Sequence, residues 1–141
     1  MPIDAALFVV GELPGTKTYD DVTEVIKWHL LRKRVYSSSP LRGLSRGMPI
    51  FARVVRTGEL CLAGRCVSDV EEVAYRGRED KWPFSYGVEF SHVLRHVRTR
   101  DVLGSVAFAH KVSGLRDGQF ERAAEAFERA PSAKAWLRNP A

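Results

Sequence analysis

Residues 50–67 read IFARVVR, TGE and LCLAGRCV, and this stretch decides the fold. β-Branched and aromatic residues are frequent in the first flank and apolar residues dominate the second, which favours strands. Thr57-Gly58 between the flanks supplies the glycine that a tight turn requires at positive φ. The stretch therefore predicts an antiparallel hairpin with strands over 50–56 and 60–67, the second interrupted by Gly64.

Further strands are predicted on both sides of this hairpin. Residues 5–10 (AALFVV) form a continuous apolar run closed by Gly11, which is the pattern of a buried strand. Residues 86–90 alternate apolar with other side chains and predict a half-buried strand. Two short segments that begin and end with Val, 70–73 and 93–97, predict a continuation of the hairpin and one more strand.

Helices are predicted at two places. Apolar residues over 22–30 keep helical spacing, with Thr18 or Asp20 as the N-cap. A second helix begins after Asp117. Its buried stripe is formed by Phe120, Ala123, Ala124 and Phe127. This order of elements predicts an α+β fold, a small curved mixed β-sheet or partly closed β-barrel flanked by helices.

Length and composition bound the class of protein. The chain has 141 residues, of which 45% are apolar and 28% charged, as in one globular domain. We predict a single domain over 1–141, with 129–141 as a C-terminal extension. No apolar run approaches the ~20 residues of a membrane span, and residues 1–4 lack a basic secretory n-region. We therefore expect a cytoplasmic protein without a membrane partner.

The positive charge is concentrated in one segment. Eight of the 22 Lys and Arg residues lie within 27–56, and this segment contains no Asp or Glu. Such a block attracts phosphate groups, because each neutralised phosphate releases counterions. A solvated basic face is the alternative interpretation. The predicted phosphate contacts are Arg32, Lys33, Arg34, Arg42, Arg46 and Arg53.

Sequence motifs of the common enzyme classes are absent. There is no glycine-rich phosphate loop, no HExxH and no Gly-x-Ser-x-Gly elbow. His92 and His96 have metal-ligand spacing only on a helix, and their segment predicts strand and loop. Cys61 and Cys66 are expected to be buried free thiols. We therefore expect a binding module rather than an enzyme, with no catalytic residue, metal or cofactor.

Three of the 14 aromatic residues fall outside the predicted apolar stripes. Trp28 lies in the basic helix, Tyr36 precedes three serines at 37–39, and Trp82 lies in a polar loop. Each ring either folds back onto the core or lines a site. Aromatic faces, hydroxyls and a basic rim together suit a flipped or single-stranded base, which stacks on the rings while Arg contacts its phosphates.

Three stretches carry a family pattern. Residues 28–48 contain a Trp, a serine stretch and a Gly-containing strand entry, and residues 50–67 form a hairpin with a Thr-Gly turn. Residues 81–84 (KWPF), followed by Val-Glu-Phe at 88–90, give an aromatic-Pro-aromatic loop before a strand. Together with a tail over 108–127, they resemble the PUA-like superfamily and, within it, the EVE and YTH domains.

The resemblance implies a strongly curved β-barrel with a pocket between the first helix, the hairpin and the next loop. In YTH domains this pocket accepts N6-methyladenine in RNA, and modified cytosine in DNA is proposed for EVE domains. By position, Trp82 matches the loop aromatic and Trp28 the residue at the pocket mouth. The family often has Asn where this chain has serines, and Met48 replaces its usual Asp. The candidate base-binding residues are Trp28, Tyr36, Ser38, Ser39, Trp82 and Phe84.

We therefore predict a nucleic-acid-binding module, for RNA or DNA, that takes a single base in an aromatic pocket, with a methylated base as the candidate ligand. Two alternatives stay open. The first is a small-molecule or nucleotide-binding protein, or an enzyme, on the same scaffold. The second is an accessory domain whose basic face meets an acidic protein partner.

Overall fold

Six strands form one mixed sheet, and four helices flank it, in the computed structural model, which describes residues 3–11, 21–104, 112–116 and 118–140. The strands are β1 (Ala5–Val10), β2 (Arg34–Ser37), β3 (Pro49–Val54), β4 (Leu60–Cys66), β5 (Phe84–Val93) and β6 (Val112–Leu115). The helices are α1 (Val22–Arg32), α2 (Thr99–Leu103), α3 (Gln119–Ala126) and α4 (Ala133–Arg138). No helix among these residues is long and apolar enough to cross a membrane.

The sheet runs in the order β2-β5-β4-β3-β1-β6 and curls into a half-barrel. The predicted hairpin is β3 and β4, which pair antiparallel. β1 pairs parallel to β3 and antiparallel to β6, so it lies inside the sheet. The predicted α+β class with a curved mixed sheet is confirmed.

Both faces of the sheet are covered, which explains why β1 is apolar throughout. Phe8 faces an inner core that includes Ile26 of α1, Tyr86 of β5 and Trp136 of α4. The alternate residues of β1 face an outer core under α2 and α3. Because successive side chains of a strand point to opposite faces, a strand buried on both sides has no polar period.

Helix α1 begins and ends at residues with clear local causes. The Asp21 carboxylate accepts hydrogen bonds from the backbone N–H of Thr23 at 2.9 Å and of Glu24 at 3.4 Å, so Asp21 is the N-cap. The predicted caps Thr18 and Asp20 lie outside the described residues. Lys33 ends the helix in the left-handed conformation, with φ 56°. The chain therefore turns sharply and enters β2, a strand that the sequence did not predict.

Other predicted elements were wrong or incomplete. Segment 70–73 is not a strand, since only Glu71 forms a single bridge, to Ser85. The strand predicted over 93–97 does not exist, because β5 ends at Val93 and His96 has φ 64°. Helix α2 and strand β6 were not predicted.

The C-terminal part of the chain covers both cores. The predicted stripe of α3 faces the outer core, where Ala123 and Phe127 are buried. Its predicted cap Asp117 lies outside the described residues. Within 129–141, the predicted extension, α4 packs on β5 and Trp136 is only 3% exposed in the inner core. Residues 133–138 therefore contribute to the same core as the sheet.

Both cysteines are free and buried, as expected. Ala52 of β3 pairs with Leu62 and the next residue pairs with Leu60, so Cys61 is an extra residue in β4. This bulge turns Cys61 and Cys66 to the same, inner core. Burial raises the pKa of Cys66 to about 11 and that of Cys61 still further, so both remain thiols at neutral pH.

Gly64 is required by the approach of β5 to β4. A Cβ built at this position would lie 2.7 Å from the Phe90 Cα and closer still to the Glu89 carbonyl oxygen. Both contacts are with backbone, which cannot yield as a flexible side chain can. We expect Gly64→Ala to lower the free energy of unfolding by about 3 kcal/mol in chemical denaturation.

The matched control is Arg65→Ala, at the next position of β4, whose side chain is exposed. It should change the free energy of unfolding by no more than about 0.5 kcal/mol. Equal stability of Gly64→Ala and the parent chain would contradict the close approach of the two strands.

Candidate functional site

Four aromatic rings meet beside the end of α1 and form the aromatic cluster, Trp28, Tyr36, Tyr75 and Trp82. Tyr75 lies at its centre. Its ring centroid is 4.7 Å from that of Tyr36 and 5.5 Å from that of Trp82, both edge-on. Its ring is nearly parallel to that of Trp28, at 13° and 6.3 Å between centroids. The four rings are therefore joined through Tyr75.

Three parts of the fold hold the four rings. Trp28 lies beside the buried stripe of α1, next to His29, whose ring is 2.9 Å from the Val25 carbonyl oxygen. Tyr36 lies on β2. The other two rings belong to segment 72–83, where the Tyr75 amide donates to the Trp82 carbonyl at 3.0 Å. Trp28 and Tyr36 are partly exposed, whereas Tyr75 and Trp82 are each 3% exposed.

The cluster encloses a small cavity of about 10 Å³, which holds no more than about one water molecule. Its lining consists of Val10, Trp28, His29, Val35, Tyr36, Tyr75 and Trp82. The rings thus contact one another and leave no room for a base between them. In this arrangement, the accessible surface of the cluster belongs mainly to Trp28 and Tyr36.

Cations lie close to three of the four rings of the cluster. The Arg32 guanidinium carbon is 4.7 Å from the ring centroid of Trp28 and 5.5 Å from that of Tyr75. Arg78 and Lys81 approach the Trp82 ring, at 5.2 and 5.0 Å. Because an aromatic face carries negative electrostatic potential, these contacts are favourable and hold positive charge at the site.

The predicted pocket residues divide into two groups. Trp28, Tyr36 and Trp82 come together, while Ser38 and Ser39 are exposed beyond the end of β2 and are not among the described lining residues of the cavity. Phe84 begins β5 and is likewise not among them. Tyr75 was missed because it lies in a polar segment with no apolar period.

Arg34 differs most from its predicted role. Its guanidinium donates to the Glu71 carboxylate at 3.0 Å and to the Ser85 hydroxyl at 2.9 Å. Ser68 also donates to this carboxylate, at 3.0 Å. Arg34 therefore braces β2 and β5 against segment 67–71 instead of facing solvent as a phosphate ligand. Its guanidinium, with the Ser68 hydroxyl, holds the pKa of Glu71 below its usual range.

The other predicted phosphate ligands are spread over the surface. Arg32 and Lys33 are exposed at the end of α1, next to the aromatic cluster, and Arg42 is exposed after β2. Arg46 is also exposed, but its guanidinium donates to the Val67 carbonyl at 2.9 Å. Arg53 belongs to the opposite face of the sheet and lines another cavity. Proximity in the sequence therefore did not place these six cations on one face.

The role of Arg34 gives a prediction that is independent of any ligand. Arg34→Gln should raise the pKa of Glu71 toward 4.5, the ordinary value, because the charged donor is lost. The ion pair between Arg34 and Glu71 therefore contributes its full stability above the ordinary carboxyl pKa. That contribution is lost as the pH falls through the lowered pKa of Glu71. Carboxyl NMR titration measures this shift. Arg42→Gln is the control and should leave the pKa of Glu71 unchanged, and an unchanged pKa in Arg34→Gln would contradict the ion pair.

The sequence matches no protein-family model, and a search of curated proteins gives no match either. Solved structures do match. A YTH domain from Zygosaccharomyces rouxii MRB1, in complex with N6-methyladenosine RNA, superposes with a TM-score of 0.54 and 15% identity over 94% of this chain and 93% of that one.

An ASCH protein from Zymomonas mobilis is similar as well, with a TM-score of 0.56 and 8% identity over 89% of this chain and 96% of that one. A Tyr-to-Phe mutant of that ASCH protein gives a TM-score of 0.57 and 6% identity over 89% and 99% of the two chains. At these identities the similarity is one of fold. The chain has the PUA-like fold that these YTH and ASCH structures share.

Proposed function

We propose that this protein binds single-stranded nucleic acid and takes one base against the aromatic cluster. The observation that supports this best is the convergence of four rings, two of them partly exposed, with cations close to three of them. Aromatic faces stack bases and adjacent cations hold the backbone, which is the usual composition of a single-strand site. The similarity of fold to a YTH domain bound to N6-methyladenosine RNA is consistent with this proposal.

The base replaces the Arg32 guanidinium on the face of Trp28. An exposed cation–π contact is worth about 0.5–1 kcal/mol, whereas stacking of a base on an aromatic ring is worth about 1–3 kcal/mol. The exchange is therefore favourable. Arg32, which is exposed, then turns to the phosphate next to the bound base, where Lys33 adds a second positive charge.

The size of the cavity in the aromatic cluster determines whether a base can be enclosed there or only stack on its surface. A space of about 10 Å³ does not admit a base, so full enclosure requires segment 72–83 to move away from Trp28. Stacking of a base on the Trp28 ring, where the Arg32 guanidinium now lies, requires only the displacement of Arg32. We therefore propose two stages, in which a base first stacks on Trp28 and then enters as Tyr75 moves.

A methylated base is the ligand that gains most from the second stage. A methyl group buried against the rings of Tyr75 and Trp82 adds dispersion contacts and removes apolar surface from water. The YTH similarity makes N6-methyladenine the first base to test.

The decisive variant is Trp28→Ala, because Trp28 is partly exposed and its truncation leaves the buried rings in place. We expect it to weaken binding of a short single-stranded oligonucleotide about five- to hundredfold, through the loss of one base stack. Isothermal titration calorimetry with RNA and DNA, each with and without N6-methyladenine, measures the affinity. Leu31→Ala is the matched control on the same helix, since Leu31 is 77% exposed, and should bind like the parent chain.

Equal affinity of Trp28→Ala and Leu31→Ala would contradict the proposed stacking role of the aromatic cluster. Loss of preference for the methylated oligonucleotide in Trp28→Ala would identify the cluster as the site of selection. Absence of binding at low salt would remove nucleic acid as the ligand and leave the small-molecule and protein-partner alternatives.

The proposed phosphate contacts give a separate, salt-dependent prediction. Lys33→Gln should weaken binding of modified and unmodified strands equally and reduce the slope of log affinity against log salt by about 0.7, the contribution of one phosphate contact on a single strand. Titrations at several salt concentrations give the slope. Lys134→Gln, an exposed lysine of α4, is the control with the same change of net charge and should leave the slope unchanged. An equal fall in both variants would indicate a general charge effect.

A further inference from the structure

A second cavity, of about 230 Å³, lies between the β3–β4 turn and α2. Its lining consists of Arg53, Arg98, Arg100, Thr57, Thr99 and two glycines. The Thr99 hydroxyl donates to the Gly58 carbonyl at 2.8 Å and so fastens α2 to the turn. We call this space the arginine cavity.

The arginine cavity and the aromatic cluster are on opposite faces of the sheet. Val54, beside Arg53 on β3, belongs to the inner core together with Val10 and Val35, which line the aromatic cluster. Arg53 shares its face with Phe51 of the outer core, because side chains alternate along a strand. One bound ligand group therefore cannot occupy both sites.

Among the described residues, the charges that line the arginine cavity are of one sign. Its described lining contains no Asp or Glu, and neither Arg98 nor Arg100 forms a salt bridge with another described residue. The nearby carboxylate of Glu59 pairs with Arg95 instead, at 2.8 Å. A cleft lined by cations and partly shielded from water concentrates the positive potential within it.

Arg53 is the deepest of the three cations, and the strand is irregular at this point. The extra residue Cys61 lies opposite the step from Ala52 to Arg53. Such bulges commonly occur next to functional sites, where they redirect a side chain. Partial burial lowers the pKa of Arg53, which means that its charged form has lost solvation.

Size and donors indicate what kind of anion fits. About 230 Å³ is less than the roughly 300–1,000 Å³ of pockets that enclose a drug-sized molecule, but it holds one or two phosphate groups. The Thr57 hydroxyl accepts from the Glu59 amide at 3.2 Å and can donate its own proton to an oxyanion. Guanidinium groups bind phosphate with paired, parallel hydrogen bonds.

We propose that the arginine cavity is an anion site that binds a terminal phosphate, as a phosphate monoester or a diphosphate. A monoester carries a charge of about −1.5 to −2 at neutral pH, so three guanidinium groups complement it better than the single charge of a phosphodiester link. The nucleoside or strand that bears the phosphate remains outside the cavity. This proposal does not depend on base binding at the aromatic cluster, because the two sites share no residue.

The test uses the whole chain, with inorganic phosphate and pyrophosphate as probes. Binding is followed by calorimetry and by the ¹⁵N NMR signals of the arginine side chains. The double variant Arg98→Gln/Arg100→Gln changes two exposed side chains and should keep the fold. We expect it to weaken pyrophosphate binding about tenfold or more. The charge-matched control, Arg129→Gln/Arg138→Gln, also changes exposed residues and should bind like the parent chain.

Equal weakening in both double variants, or no binding of either probe by the parent chain, would overturn the proposal. Retention of pyrophosphate binding in Trp28→Ala would support the proposal even if base binding fails.

Two further binding comparisons identify the source of the phosphate. Preference for a 5′-phosphorylated oligonucleotide over its 5′-hydroxyl form assigns the site to strand ends, and equal binding of a free nucleoside monophosphate assigns it to free phosphate esters.

Discussion

The ion pair between Arg34 and Glu71 is the contact on which the aromatic cluster depends. After β4 ends, the chain continues beside β5, where Glu71 and Ser85 exchange two backbone hydrogen bonds of 2.9 and 3.0 Å. Arg34 of β2 crosses to the same carboxylate, and the Ser68 hydroxyl accepts from the Gly87 amide at 2.8 Å. The pair is partly exposed, so its direct effect on stability is modest. Its effect is geometric, because it fixes the start of the segment that carries Tyr75 and Trp82.

The two cavities show different ways of holding positive charge. At the aromatic cluster, Arg32 lies on ring faces and can exchange with a flat ligand. In the arginine cavity, cations of β3 and of α2 with its preceding residue converge on a shared space without a carboxylate in its described lining. The first site pairs a cation with aromatic faces, whereas the second gathers three guanidinium groups around one space. In the two proposals, a base stacks at the aromatic cluster and an anion binds in the arginine cavity.

The sequence predicted those elements whose pattern is local. Residues 50–67 carry their own turn, and Ala5–Val10 is apolar because both faces of its strand are buried. Strand β2 was missed because its four residues follow a helix end, where cations are also expected. The site was predicted in part for a related reason. A run of basic residues does not reveal faces, so Arg34 and Arg53 were grouped with cations that point elsewhere, and Tyr75 has no periodic neighbours to mark it.

The pairing of β1 with β6 has a consequence for how this protein is made. Ala5 pairs with Leu115, so one edge of β1 gains its partner only after more than a hundred further residues have been synthesised. Translation at about 5–20 residues per second leaves that edge open for several seconds or longer. During this interval β1 can associate with β3, but its other side presents unpaired amides along an apolar run. The nascent chain therefore exposes an apolar strand edge until the segment that carries β6 has been synthesised.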